Sequence, residues 1–323
     1  MSVDVIPTRG RKDDEAKGTT HDMRILVTGA GGALGRQLVE GLQREHEVVA
    51  GFRTRRPEHV RGKAVQFDLE EPQEIRQLLR DVGEVDAIVH CAAIARPKEC
   101  EQDPEKARRI NVPKPFVEAL RETGKEACLF IQISTDQVYE GTGTMYKETD
   151  EAKPINVYGK TKLEAEEYLR ANWPNHVILR SSMIYGKAIQ GVGFFTDFVQ
   201  EALSTYAPGG QPTDFFEDEY RCPIYAPDIA RIICILLRMN KEGTLQNRTF
   251  NMGGPQRLSR VDIACLIAEA RGYSKEAIRC VRSASIDRGV RSPLDISMDI
   301  SRLREELSFT PTAFADALHS IYS

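Results

Sequence analysis

From Met23 onward the chain alternates short apolar runs with longer stretches in which apolar residues recur at helical spacing. Arg24 to Thr28 reads as a short apolar strand, and Ala33 to Arg44 has the periodicity of a helix. Further strands are predicted at Glu47 to Phe52, Ala64 to Phe67, Asp86 to His90, Cys128 to Ser134 and His176 to Arg180. Helices fill the intervals. One is opened by Asp103 and Pro104, a capping side chain followed by the residue whose missing N–H costs nothing in a first turn. Fully apolar strands alternating with helices predict an α/β fold, a doubly wound parallel sheet of the Rossmann kind.

After Arg180 the rhythm changes. The Gly/Pro-rich stretch Tyr206 to Thr213 leads into an acidic, aromatic run from Asp214 to Tyr220. A helix at Pro227 to Met239 and a strand at Arg248 to Asn251 are expected to return to the nucleotide domain, and Ser259 with Asp262 has the spacing of a capping box. The expected division is a disordered polar tail over 1–22 and a dinucleotide-binding domain over 23–188, joined by a returning segment near 225–252. Residues 189–224 and 253–323 would form a smaller C-terminal substrate-binding lobe over the carboxyl ends of the strands, where open α/β sheets bind ligands.

Composition narrows the function without naming it. The 323 residues are 41% hydrophobic and 28% charged, with a net charge of -4, so nothing favours nucleic acid or an anionic membrane surface. No apolar run approaches the roughly 18 residues of a membrane span. Residues 1 to 22 lack the apolar core of a signal peptide, and Asp13, Asp14 and Glu15 argue against a transit peptide, so a cytoplasmic protein is expected. The seven cysteines are scattered without metal-ligand spacing and are expected to be reduced, with no metal bound.

Gly29, Gly32 and Gly35 stand in a GxxGxxG pattern between the first strand and the first helix. Such glycines let a pyrophosphate approach the amides of a helix start, here Ala33 and Leu34, although a plain structural turn also fits the pattern. No Asp or Glu occurs between Val48 and Pro57 to hold a ribose 2′-hydroxyl, whereas Arg53, Arg55 and Arg56 suit a 2′-phosphate. NADP(H) is therefore favoured over NAD(H), with at least one of these arginines expected in a solvated loop. Asp68, followed by Leu69, could accept from the adenine amino group or simply serve a turn. Ala92 and Ala93 are small enough for a cofactor to lie against, or for a helix to pack on the sheet.

Tyr158 and Lys162 are four apart, on one face of a helix. A phenol beside an ammonium can protonate a carbonyl while a nicotinamide delivers hydride, with both cations favouring the phenolate that results. Thr135, at the mouth of the fifth strand, would hydrogen-bond the substrate oxygen.

The segments Val27 to Gly35, His90 to Ala93, Ile110 to Val112, Ile133 to Gly141, Tyr158 to Lys162, Leu179 to Gly186 and Arg291 to Asp295 resemble the extended short-chain dehydrogenase/reductase family. The resemblance covers Met23 to the C-terminus. It is nearest to the dTDP-4-dehydrorhamnose reductases, with the methionine adenosyltransferase regulatory β subunit as a similar relative. It implies a Thr135, Tyr158, Lys162 triad with Asn111 supporting the lysine, and cofactor contacts at and after Arg180. Asn111 and Arg180 could equally satisfy buried backbone groups. Sugar-nucleotide dehydratases of the superfamily carry Thr-Asp-Glu where this chain has Thr135, Asp136 and Gln137, and an amide cannot serve as a base. Asp136, Gln137 and Met183 are the expected substrate contacts. The reductases usually have a tyrosine at the position of Gln137 and an aromatic near Met183, and both are absent here. Arg221 could meet a diphosphate or a structural carboxylate.

The resemblance implies an NADPH-dependent reductase of a 4-keto-6-deoxy sugar nucleotide. Two alternatives stand beside it: an NADP-binding regulatory subunit whose partner is the methionine adenosyltransferase catalytic subunit, and a nucleotide-sugar epimerase. A homodimer is left open.

Overall fold

The computed structural model describes residues 23–323 apart from 59 and 190, so the polar tail expected over 1–22 lies outside the described residues. Six strands run through the first part of the chain, with helices in every interval except that between the second and third, which is a loop rather than the expected helix. They are β1 (Arg24–Thr28), β2 (Glu47–Phe52), β3 (Ala64–Gln66), β4 (Ala87–His90), β5 (Leu129–Thr135) and β6 (His176–Ser181). The intervening helices are α1 (Ala33–Leu42), α2 (Pro72–Val82), α3 (Pro97–Gln102), α4 (Pro104–Asn111), α5 (Lys114–Glu122) and α6 (Val157–Asn172). Beyond them come β7 (Ile184–Tyr185), α7 (Phe195–Ser204), β8 (Thr213–Phe216), β9 (Tyr220–Arg221), β10 (Ile224–Tyr225), α8 (Ala226–Lys241) and β11 (Thr249–Met252). The chain finishes with β12 (Leu258–Ser259), α9 (Arg260–Arg271), β13 (Ile278–Val281), α10 (Ser301–Glu306) and α11 (Phe314–Tyr322).

Seven strands form one sheet in the order β11-β6-β5-β4-β1-β2-β3, and every pairing in it is parallel. This is the doubly wound Rossmann-like arrangement that the apolar strands predict. Consecutive residues of β1, β4 and β5 are buried because helices cover both faces of the sheet. On one face α1 and α8 pack together, and Leu38, Leu42, Ile229 and Ile233 meet Val27, Ala50 and Leu179. On the other, Ile75 and Leu79 of α2 and Phe116 and Leu120 of α5 meet Leu26, Ile88 and Phe130. A third cluster, in the C-terminal part, joins Val199, Phe215, Ile263, Ile267 and Phe314.

The caps follow the sequence closely. Asp103 Oδ1 accepts from the Lys106 N–H at 3.0 Å, and Ser259 and Asp262 exchange the two bonds of a capping box at 3.0 and 2.8 Å. The strand order reverses on either side of β1, whose neighbours are β2 and β4. The carboxyl ends of β1 and β4 therefore border the switch point, where an open sheet leaves a crevice. Fold alone places a ligand there.

Candidate active site

The floor of the crevice is set by polar contacts between strand ends. Thr28 Oγ1 lies 3.0 Å from His90 Nδ1 and accepts from the Ala92 N–H at 3.3 Å, tying β1 to the turn after β4. Burial, with the Lys162 charge, pulls His90 down to about 3, so the ring stays neutral. The glycine turn rests on this floor. Gly29 has φ of 69°, and a Cβ on it would stand 2.8 Å from the Ala92 nitrogen. A Cβ on Gly35 would be 2.2 Å from the Gly29 oxygen, and one on Gly31 2.2 Å from the Arg55 oxygen, while one on Gly32 would stand 3.3 Å from the Gly29 oxygen. Gly31, which the spacing pattern does not single out, is thus a tighter glycine than Gly32.

The crevice between β1 and β4 has a volume of about 500 Å³. Gly29, Gly32, Ala33, Leu34, Gly35, Arg53, Arg55, Asp68, Leu69, Ala92 and Ala93 all line it. Gly31, Phe52, Phe67, Cys91, Ile184 and Phe194 line it too, without having carried a sequence signal, because an apolar wall residue looks like any core residue in a linear chain. Arg53 and Arg55 are exposed at one end, beyond β2. Arg56, Tyr158, Lys162 and Arg180 are not among the lining residues.

Tyr158 and Lys162 stand on α6, whose N-cap Asn156 accepts from the Gly159 N–H at 2.8 Å. A Cβ on Gly159 would reach 2.2 Å from the Gln137 oxygen, so this glycine lets the start of α6 close onto the end of β5. That contact unites the candidate residues. Tyr158 and Thr135 are neighbours at this junction. Burial pushes the phenol well above its ordinary range, the Thr135 hydroxyl lowers it and the Asp136 charge raises it. Lys162 Nζ donates to the Ile133 oxygen at 2.5 Å, and burial pulls the ammonium down to about 8 against the opposing pull of Cys91 and Glu166. Thr135 Oγ1 donates to Asp136 Oδ1 and accepts from the Gln137 N–H, each at 3.2 Å. Asp136 is buried, which raises its carboxyl, while Arg221 and bonds from Ser182 and Thr135 lower it. The Ser182 Oγ bond is 3.0 Å and puts Met183, the next residue, beside this group.

Three of the expected site residues are engaged by other parts of the protein. Asn111 Oδ1 accepts from the Ile94 N–H at 2.8 Å, and its Nδ2 donates to the Ile94 oxygen at 3.1 Å and to Thr161 Oγ1 at 3.0 Å; it braces α6 one residue from Lys162. The Arg180 guanidinium is held in a buried ion pair with Glu166 at 2.8 to 3.2 Å and donates to the Tyr139 hydroxyl at 2.9 Å. Arg221, only 2% exposed, donates to the oxygens of Tyr220, Leu294 and Pro293 at 2.7 to 3.1 Å and to Ser292 Oγ at 3.3 Å. Its Nε is 3.9 Å from Asp136. It is a strut for the Arg291 to Asp295 segment and has little left for a diphosphate. Arg260 is the cation that sequence reasoning missed. It heads α9, lies 4.6 Å over the Phe195 ring, touches Met183 and stands 3.6 Å from Glu219.

The arrangement provides a glycine-lined crevice at a helix N-terminus, a basic exit and a phenol, hydroxyl and ammonium clustered at the ends of β5 and α6. A phosphorylated dinucleotide fits the first two features, and acid catalysis on a carbonyl fits the third.

Residues 23–323 match the model of the RmlD substrate binding domain. The chain is 30% identical over 290 residues to methionine adenosyltransferase 2 subunit beta of Bos taurus, covering 87% of this chain and 81% of the relative. It is 31% identical over 301 residues to the probable low-salt glycan biosynthesis reductase Agl14 of Haloferax volcanii, covering 93% and 97%. Among solved structures, a hypothetical dTDP-4-dehydrorhamnose reductase from Sulfolobus tokodaii superposes with a TM-score of 0.75 at 29% identity, over 91% of this chain and 99% of that one. Among the described residues no helix is long and apolar enough to cross a membrane.

Proposed function

Because the chain belongs to the RmlD substrate binding domain family, we propose that it is an NADPH-dependent reductase of a 4-keto-6-deoxy sugar nucleotide. The observation that carries this reading is the junction of α6 with the end of β5, where the start of α6 closes onto the Gln137 oxygen at Gly159 and sets Tyr158, with Lys162 one helical turn on, beside Thr135. The backbone of Gly29 to Gly35 and the first turn of α1 would hold a pyrophosphate, and Arg53 and Arg55 a 2′-phosphate. When bound, the reduced nicotinamide supplies hydride to the C4 carbonyl.

The rest is the work of side chains. Tyr158 keeps its proton throughout the neutral range because burial disfavours the phenolate, so it can give that proton to the oxygen that hydride addition leaves negative. Thr135 orients the phenol and the substrate oxygen together. The Lys162 ammonium compensates the phenolate left behind. Gln137, an amide, removes the base that a dehydration would require.

Two consequences are measurable. Replacing Arg53 and Arg55 together by alanine is expected to weaken NADPH binding by about 10- to 100-fold, the worth of one or two charge-assisted hydrogen bonds, and to leave NADH binding nearly unchanged. Parallel titrations of the two cofactors check it; an equal loss for both would remove the 2′-phosphate assignment. The second concerns pH. Lys162 carries its charge below about 8 and loses it above. The value of kcat/KM for NADPH, which reports on the free enzyme, is therefore expected to be level below that pH and to fall by about tenfold per unit above it. A flat profile to pH 10 would show that the charge is not needed.

A second reading has its own support. Similarity to the methionine adenosyltransferase β subunit, together with Gln137 and Met183 where the reductases carry aromatics, favours a regulatory subunit that binds NADP(H) and a methionine adenosyltransferase catalytic subunit without turning over a sugar. Mixing the two proteins and measuring synthetase kinetics tests it, and unchanged kinetics would remove it.

A further inference from the structure

Asn156 is 2% exposed and uses both ends of its amide. Oδ1 accepts from the Gly159 N–H at 2.8 Å and caps the helix that carries Tyr158 and Lys162. Nδ2 donates to Gln137 Oε1 at 2.9 Å and to the Arg291 oxygen at 3.0 Å. One side chain thus joins three segments that are far apart in sequence: the start of α6, the turn after β5 and the stretch from Arg291 to Asp295. The stretch is held a second time by Arg221, through the oxygens of Pro293 and Leu294.

The network also fixes which way the amides point. With Oδ1 committed to the helix cap, the Asn156 NH₂ must face the two oxygens. Gln137 cannot then turn its own NH₂ toward Asn156, because two donors would oppose each other. Its Oε1 is thereby committed to Asn156, which leaves Nε2 as the donor end of the amide. The Gln137 backbone lies against Gly159, the neighbour of Tyr158, and its N–H is bonded to Thr135 Oγ1.

We propose that Asn156 is a positioning residue: it clamps the catalytic helix to the 291–295 segment and presents Gln137 Nε2 as a fixed hydrogen-bond donor to a sugar oxygen next to the reacting carbonyl. The substrate side of this statement rests on the reductase reading, whereas the clamp does not. A donor here selects substrates that offer an oxygen acceptor beside the ketone.

Asn156→Asp in the full-length protein tests the clamp. Aspartate caps a helix as well as asparagine does, so the Gly159 N–H keeps its partner. It has no N–H to give, and its oxygen would face those of Gln137 and Arg291. Amide hydrogen exchange is expected to rise about tenfold or more over both 136–141 and 291–297, the loss of one or two hydrogen bonds, while the first turn of α6 keeps its protection. Asn156→Ala should add fraying of that turn. In turnover with a keto-sugar nucleotide, Asn156→Asp should lower kcat about 10-fold or more with NADPH affinity unchanged. Exchange equal to wild type over either segment, or wild-type turnover by Asn156→Asp, would overturn the proposal. A wild-type protein that reduces no keto-sugar nucleotide would count against the reductase reading, and the exchange data would still decide the clamp.

Discussion

Replacing Tyr158 by phenylalanine is expected to lower kcat for keto-sugar reduction by about 10²- to 10⁴-fold, the usual worth of a positioned general acid, with NADPH affinity almost unchanged. Phenylalanine keeps the ring and its packing, so the change removes one hydroxyl. That hydroxyl is the group beside Thr135, and burial holds it protonated, with Asp136 and Cys100 adding to the upward shift. An acid that must donate at neutral pH gains from being protonated there. It also needs help once the proton has gone, and Lys162, down at about 8, is still charged at pH 7 to give it. Steady-state kinetics with a direct cofactor titration would separate the outcomes. A kcat within threefold of wild type would show that the proton comes from elsewhere.

Replacing Glu166 by alanine is expected to destabilise the fold by about 3–5 kcal/mol, the range for breaking a buried ion pair by removing one partner. Glu166 is 0% exposed and receives Arg180 at 2.8 Å, Ser134 Oγ at 2.6 Å and Arg170 at 2.8 Å. Burial opposes its charge, but Arg180, Ser134 and Arg170 outweigh burial and hold the carboxyl below its ordinary range. The alanine variant leaves the Arg180 guanidinium, 4% exposed, without its counter-charge. Thermal unfolding should show a midpoint lower by on the order of 10 °C. The sign with pH follows from linkage. A carboxyl with a depressed folded pKa contributes above its unfolded value and loses that contribution as pH falls through the folded one. The wild-type advantage over the variant should therefore shrink in acid. A midpoint within 2 °C of wild type at neutral pH would contradict this account of the pair.

The sheet was readable because parallel strands covered on both faces leave unbroken apolar runs. β1 and β2 begin and end where the pattern places them, and β5 is displaced by a single residue, which makes Thr135 its last. The caps at Asp103 and Ser259 were readable because donor and acceptor lie within three residues. Charged side chains with distant partners were not. Nothing local to Arg221 points to the carbonyls of Pro293 and Leu294, or local to Arg180 to a carboxylate on α6; both look like ligand-binding arginines until the fold supplies those partners. Gly31 was passed over for a similar reason, since its neighbour is a carbonyl on the loop after β2. Arg260 carried no signal of its own, because its place over Phe195 depends on how α7 and α9 pack.

The most direct test of the central claim is a single-turnover experiment in which NADPH-loaded protein is mixed with a 4-keto-6-deoxy sugar nucleotide, following cofactor absorbance and the sugar product together. The account predicts one equivalent of NADPH oxidised per site, with hydride delivered to C4 of the sugar, and a rate that collapses in Tyr158→Phe. NADPH that binds but stays reduced across a panel of keto-sugar nucleotides would contradict it.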